Sequence, residues 1–197
     1  MLTVHHLGKS QSERIVWLCE ELGIPYELKR YARDSVTKLA PPDYKALHPI
    51  GSAPVITDGD LVLAESGAIV DYIMAKYGDG RLALRPDHPD FAQFLYWFHF
   101  ANGTLQPLLL RTRSLERVDP SDHNAPLQMA KEQFARVFSL LDRRLGEAPY
   151  LAGAAFTAAD IMTVFSLTTI SAPVPMSRPR RMVHGWVAVP ATPWNDA

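Results

Sequence analysis

The chain has 197 residues, of which 47% are apolar and 21% charged, and its formal net charge is -1. That length can bury one large core or two small ones, and the balance is that of a globular protein. Near-neutral charge suggests neither a nucleic-acid footprint nor an acidic tail. Its single cysteine, Cys19, excludes an internal disulfide framework and a Cys-x-x-Cys redox pair, which fits an intracellular, reducing home.

Met1 to His6 show no basic stretch leading into a long apolar one, so no signal peptide is expected. No run of about 18 apolar residues suggests a membrane span. The seven histidines show no paired i, i+4 spacing, so no metal site is expected.

Leu2 to Leu7 is short and β-prone, and Gly8 follows it, which predicts a strand. Ile15, Leu18, Cys19 and Leu22 then form a helical stripe that Gly23 stops. Pro25 prevents continuation, and Tyr26 to Tyr31 reads as a second strand. Ala40-Pro41-Pro42 opens a short helix ending near Leu47. Asp58-Gly59-Asp60 between Val55-Ile56-Thr57 and Leu61-Val62-Leu63 is a strong hairpin signal. Ile69, Tyr72, Ile73 and Tyr77 mark a further helix, ended by Gly78. The order β-α-β-α-β-β-α describes one α/β unit.

Residues 79–89 read as a linker rich in Gly, Pro and Asp. Beyond it the pattern is all helical. Phe91, Phe94, Leu95 and Phe98 mark a helix reaching toward Arg113, with Tyr96, Trp97 and Phe100 adding to its aromatic content. Most of these rings are expected in the core or at a domain interface, and one or two could line an apolar pocket. Phe134, Val137, Phe138, Leu141 and Leu145 mark a second helix. A third begins at Thr157, with Ile161, Val164 and Phe165 inward. Residues 171–197 hold five of the 16 prolines and cluster Arg178, Arg180 and Arg181, with no helical period, so no secondary structure is assigned there.

Four short features carry the chemistry. Ser10-Gln11-Ser12-Glu13-Arg14 stands between the first strand and the first helix. A hydroxyl there can stabilise an anion beside free backbone N–H groups, or it can be a plain N-cap. In His48-Pro49-Ile50-Gly51-Ser52-Ala53-Pro54, the second proline is either a strand-edge residue or a cis proline that presents the preceding peptide to a ligand. Glu65-Ser66 follows the hairpin and opens a helix. Ser66 suits a carboxylate and Glu65 an ammonium, the two ends of an amino-acid head group; an ordinary capped helix explains them equally. Thr157-Ala158-Ala159-Asp160 resembles a capping box with Phe156 as a hydrophobic staple, a folding role. Cys19 lies on an apolar stripe and reads as a core residue.

Taken in this order and spacing, Leu2 to about Ile170 resembles the cytosolic glutathione transferase superfamily. Residues 2–77 match most tightly, and Trp17-Leu18-Cys19-Glu20-Glu21-Leu22-Gly23-Ile24-Pro25-Tyr26 resembles the bacterial serine-type branch. The resemblance implies a thioredoxin-like α/β domain over 1–78, a linker over 79–89, an all-α helical domain over 90–170, and an atypical tail over 171–197. It implies that the thiol of glutathione, the co-substrate, is conjugated to small electrophiles by a cytoplasmic homodimer in detoxification. A peroxidase, dehalogenase or isomerase on the same site is the alternative, as is a non-catalytic binding protein.

The resemblance also distributes roles. Ser10 would donate to the glutathione sulfur, with Ser12 as its runner-up. Ala53, before Pro54, would pair its backbone with the cysteinyl part, although Val is commoner there. Glu65 and Ser66 would hold the γ-glutamyl end. Ser52 occupies a contact position often filled by Gln or Lys, and His48 and Lys38 are candidates for the glycyl carboxylate. The Tyr-Pro-x-Ile/Leu turn and Arg-Pro-x-Tyr/Phe segment of the family are not found after residue 170. A reading-frame change near Ile170 to Ala172 would account for that, and part of the helical wall that chooses the electrophile would then be replaced.

Overall fold

The computed structural model describes residues 1–170, with side chains described as far as Leu167. The expectations for residues 171–197 lie outside the described residues. The chain forms two units that divide between Leu84 and Arg85.

The first unit begins with β1 (Leu2–Leu7), α1 (Ser12–Leu22) and β2 (Glu27–Tyr31). It continues through α2 (Pro42–Lys45), β3 (Val55–Asp58), β4 (Leu61–Ala64) and α3 (Ser66–Lys76). The sheet order is β2-β1-β3-β4, with β1 parallel to β2 and antiparallel to β3. This is the thioredoxin-like arrangement the sequence leads one to expect. Gly59 holds φ at +60° in the β3–β4 turn, where a side chain would be strained. The α1 stripe of Ile15, Leu18, Cys19 and Leu22 is at most 3% exposed, and α1 packs on β1 and α3. On α3, Ile69, Val70, Ile73 and Met74 are buried. Tyr44 of α2 packs with Leu7, Tyr31, Val55 and Ala64.

The second unit contains α4 (Phe91–Phe100), α5 (Gln106–Val118), α6 (Ala125–Glu147) and α7 (Ala158–Ile170). The single helix expected from Phe91 to Arg113 is instead α4 and α5 joined by a π-helical turn over Ala101–Leu105. Pro107 gives the reason. It has no N–H to donate, and its ring crowds the carbonyl four residues back; a wider turn accommodates both. Phe94, Trp97, Phe98 and Phe100 are buried, whereas Tyr96 is 50% exposed. The helix α6 starts well ahead of Phe134, because Asn124 caps it by accepting from the Leu127 N–H at 3.1 Å. On α7, Ile161 and Met162 are buried and Val164 and Phe165 half-buried.

The start of α7 is a closed cap. The Asp160 carboxylate accepts from the N–H groups of Leu151 and Thr157, each at 2.9 Å, and from the Thr157 hydroxyl at 3.1 Å. The folding role expected of Thr157 and Asp160 is the one they perform.

Candidate functional site

Gly8, Lys9 and Ser10 lead from β1 into α1. Lys9 holds φ at +56°, and Arg33 fixes this loop. Its Nε donates to the Gly8 carbonyl at 2.7 Å and its Nη2 to the Lys9 carbonyl at 3.1 Å. Its Nη1 donates to the Lys38 carbonyl at 2.9 Å. Ser10 thus sits on a tethered loop, at 7% exposure.

The Ser10 hydroxyl oxygen accepts from the Ser12 N–H at 3.2 Å and lies 2.8 Å from the Ser12 hydroxyl. The Ser10 oxygen therefore takes a backbone N–H at the start of α1, whose cap position is Gln11. Glu13 in the first turn accepts from the backbone of Lys9 and Ser10, while burial pushes its carboxyl above the usual range. Ser12 is fully buried, and its oxygen lies 2.9 Å from His6 Nδ1, 3.1 Å from the Leu7 N–H and 3.2 Å from the Leu7 carbonyl.

At the other helix start, Glu65 holds φ at +70° and ψ at 112°, a backbone conformation that costs about 1–3 kcal/mol in a residue with a side chain. Its side chain is exposed and does not cap α3. Ser66 is 2% exposed. Its hydroxyl accepts from Arg14 Nη1 at 3.0 Å and donates to Gln11 Oε1 at 3.0 Å. Arg14 Nη1 also donates to Gln11 Oε1, at 2.6 Å. Arg14 is 1% exposed, and burial lowers its guanidinium to about 9. These three side chains tie the start of α1 to the start of α3.

The Ala53–Pro54 peptide is cis. Val55, the next residue, pairs with His5 on one side and Ala64 on the other. The register therefore sets Ala53 and Pro54 beside the exit from β4 toward Glu65. Ladder pairing begins at Val55, so the peptide groups of Ala53 lie outside the paired stretch. Ser52 is exposed. His48 and Lys38 each bond within their own stretch of chain. The His48 Nδ1 accepts from the Ile50 N–H at 3.2 Å, and the Lys38 ammonium donates to the Ser35 carbonyl at 2.7 Å. Cys19 is fully buried, and burial pushes its thiol up to about 12.

His6, Gln11, Arg14 and Arg33 were not expected as contact residues. Arg14 stands out in the sequence only by its spacing from Ser10, and its partner Ser66 is 52 positions away. No local signal carries such a contact. Chemically, the arrangement gathers hydroxyl and amide donors at two helix starts, where negative charge is favoured. Among the described residues, no group of three or more His, Cys, Asp or Glu side chains could hold a metal ion. None of their helices is long and apolar enough to cross a membrane.

The N-terminal domain model of glutathione S-transferases matches residues 1–75, and the C-terminal domain model matches residues 107–188. The second match runs past Ile170, where the sequence was expected to leave the family pattern. Glutathione S-transferase 3 of Schizosaccharomyces pombe is 31% identical over 205 residues, spanning 96% of this chain and 82% of that protein. Glutathione S-transferase GstB of Escherichia coli is 32% identical over 158 residues, spanning 76% of this chain and 73% of its own length. A glutathione S-transferase structure from Actinobacillus pleuropneumoniae superposes with a TM-score of 0.82 at 29% identity, over 98% of this chain and 89% of that one. A glutathione transferase from Phanerochaete chrysosporium, solved with oxidized glutathione, gives 0.73 at 25% identity, over 95% and 86%. The chain belongs to the glutathione S-transferase family.

Proposed function

We propose that this protein is a glutathione transferase in which the thiolate of bound glutathione attacks a small electrophile and the Ser10 hydroxyl donates to the sulfur. The observation that carries this is the Gln11–Arg14–Ser66 tie, which draws the loop bearing Ser10 to the helix start bearing Glu65 and Ser66. One tripeptide could then engage both. In this reading Ser66 and the start of α3 take the γ-glutamyl carboxylate, and Glu65 takes the ammonium. The backbone of Ala53, before Pro54, pairs with the cysteinyl part. Ser52, His48 and Lys38 are the remaining candidate contacts. Ser10 is preferred to Ser12 because Ser12 is fully buried and surrounded by polar partners of the protein itself. The serine-type branch, a cytoplasmic homodimer and a role in detoxification complete the proposal, and the family resemblance supports them.

The magnitudes are adequate. A free thiol has a pKa of about 8.5. Lowering it by about 2 units needs roughly 2.7 kcal/mol of preference for the thiolate. A hydroxyl hydrogen bond to a charged group supplies about 1.5–3 kcal/mol, and a helix start adds about 0.3–1. Ser10→Ala is therefore expected to lower the turnover of a chloronitroaromatic substrate roughly 10- to 100-fold, with retention on immobilised glutathione preserved. Equal kinetics in both proteins would exclude Ser10 as the activating group.

A further inference from the structure

The hydroxyl of Ser12 has four polar neighbours and one hydrogen to give. The Leu7 N–H can only donate to it, and the Leu7 carbonyl can only accept. His6 Nδ1 at 2.9 Å and Ser10 Oγ at 2.8 Å can each do either. A hydroxyl donates once and accepts about twice. One of the two acceptor sites on Ser12 goes to the Leu7 N–H, so only two arrangements put a hydrogen in both short contacts.

In the first, His6 Nδ1–H donates to Ser12 and Ser12 donates to Ser10. The oxygen of Ser10 then accepts from the Ser12 hydroxyl and the Ser12 N–H, and its own hydrogen points away from both. In the second, Ser12 donates to His6 Nδ1 and Ser10 donates inward to Ser12. The hydrogen of Ser10 is then consumed inside the protein. Turning the Ser12 hydrogen to the Leu7 carbonyl, the longest of the four contacts at 3.2 Å, leaves one short contact without a hydrogen. His6 is 5% exposed, Ser10 7% and Ser12 0%, so water does not relieve the choice.

The geometry points to His6 as the positioning residue for Ser10: carrying its hydrogen on Nδ1, it sets the Ser12 hydroxyl toward Ser10 and turns the Ser10 hydroxyl outward to the glutathione sulfur. This rests on the proposed role of Ser10. Donors arranged head to tail also polarise one another, which strengthens the last one in the chain. Burial and the charge of Arg30 hold the His6 imidazole below its usual value, so one ring nitrogen carries the hydrogen and its choice selects the arrangement.

The test compares wild type, Ser10→Ala, His6→Phe and His6→Asn. Conjugation kinetics with a chloronitroaromatic substrate are measured beside the ultraviolet thiolate absorbance of bound glutathione across pH. Phenylalanine keeps a ring without a donor; asparagine puts an N–H near the place of Nδ1. His6→Phe is expected to lower kcat roughly three- to tenfold and raise the apparent pKa of the bound thiol, with KM for glutathione unchanged. His6→Asn is expected to recover most of both. An impaired Ser10→Ala beside a normal His6→Phe overturns the role of His6 and leaves that of Ser10 standing. So does an equal loss in His6→Phe and His6→Asn. Wild-type kinetics in Ser10→Ala overturn both roles. Nitrogen NMR of unmodified protein with isotope-labelled histidine supplies a measurement without any variant. A pyrrole-type Nδ1 at His6 is expected, and a pyridine-type Nδ1 overturns the proposal even if His6→Phe does not fold.

Discussion

At the start of α7, the Asp160 carboxylate gathers the N–H groups of Leu151 and Thr157 and the Thr157 hydroxyl, so the helix is closed by its own residues and the strand of chain beside it. At the start of α3, Glu65 is exposed and caps nothing, and Ser66 is held by Gln11 and Arg14 from the start of another helix. Both starts carry a hydroxyl and an acid within four positions. The acid stands differently in the two. An acid three residues after the cap reaches back over one turn. At α3 the acid is the cap residue itself, with φ at +70°, and its side chain makes no capping hydrogen bond. The first start is closed from within; the second is tied to another helix, the contact on which the proposed γ-glutamyl site rests.

Two substitutions separate these cases. Asp160→Ala has the largest expected effect. It leaves two buried N–H groups without their acceptor and should cost about 3 kcal/mol or more, read as a lower urea midpoint. Arg14→Met should act more on binding. It removes the donor that Ser66 and Gln11 share, which costs about 1–3 kcal/mol, while the Ser66–Gln11 hydrogen bond is kept. Glutathione affinity should fall roughly tenfold, and the urea midpoint should fall less than in Asp160→Ala. If Arg14→Met unfolds the protein and leaves affinity intact in what survives, the start of α3 is architecture too.

The local parts of this molecule were legible in the sequence. The α1 stripe, the Asp58-Gly59 turn and the Thr157–Asp160 cap each depend on spacing over a few residues, and each has the expected form. The π turn was not legible as such, although Pro107 is its cause, because a proline in a helical pattern can equally end or kink the helix. Nor could the sequence decide between a strand-edge and a cis Pro54. Arg14 was the larger omission. A charged residue beside an apolar stripe reads as solvated until a partner 52 positions away is brought to it by the sheet. His6 and Ser12 were hidden differently. They are close in sequence, but only the turn from β1 into α1 brings their side chains within 2.9 Å.

The smallest effect tests the same contrast between internal closure and outside contact through two aspartates. Asp58 accepts from Lys76 and Tyr72 at 2.7 Å and from Tyr77, and its side chain is 7% exposed. Hydrogen bonds from Lys76, Tyr77 and Tyr72 hold its carboxyl well below the usual carboxylate range. Asp160 also has three donors, yet burial outweighs them and raises its carboxyl. The two must therefore respond oppositely to acid. A depressed carboxyl stabilises the fold above its unfolded value of about 3.9 and loses that contribution as pH falls through the lower folded value. A raised carboxyl binds its proton more tightly in the fold than in the unfolded chain, so acidification through the same window favours the fold. Urea midpoints measured from pH 7 down to about 3.5 should thus show wild type exceeding Asp58→Asn at neutral pH, with the gap closing below about pH 4. A gap that stays constant over that range would mean that Lys76 and the two tyrosines do not set the charge of Asp58.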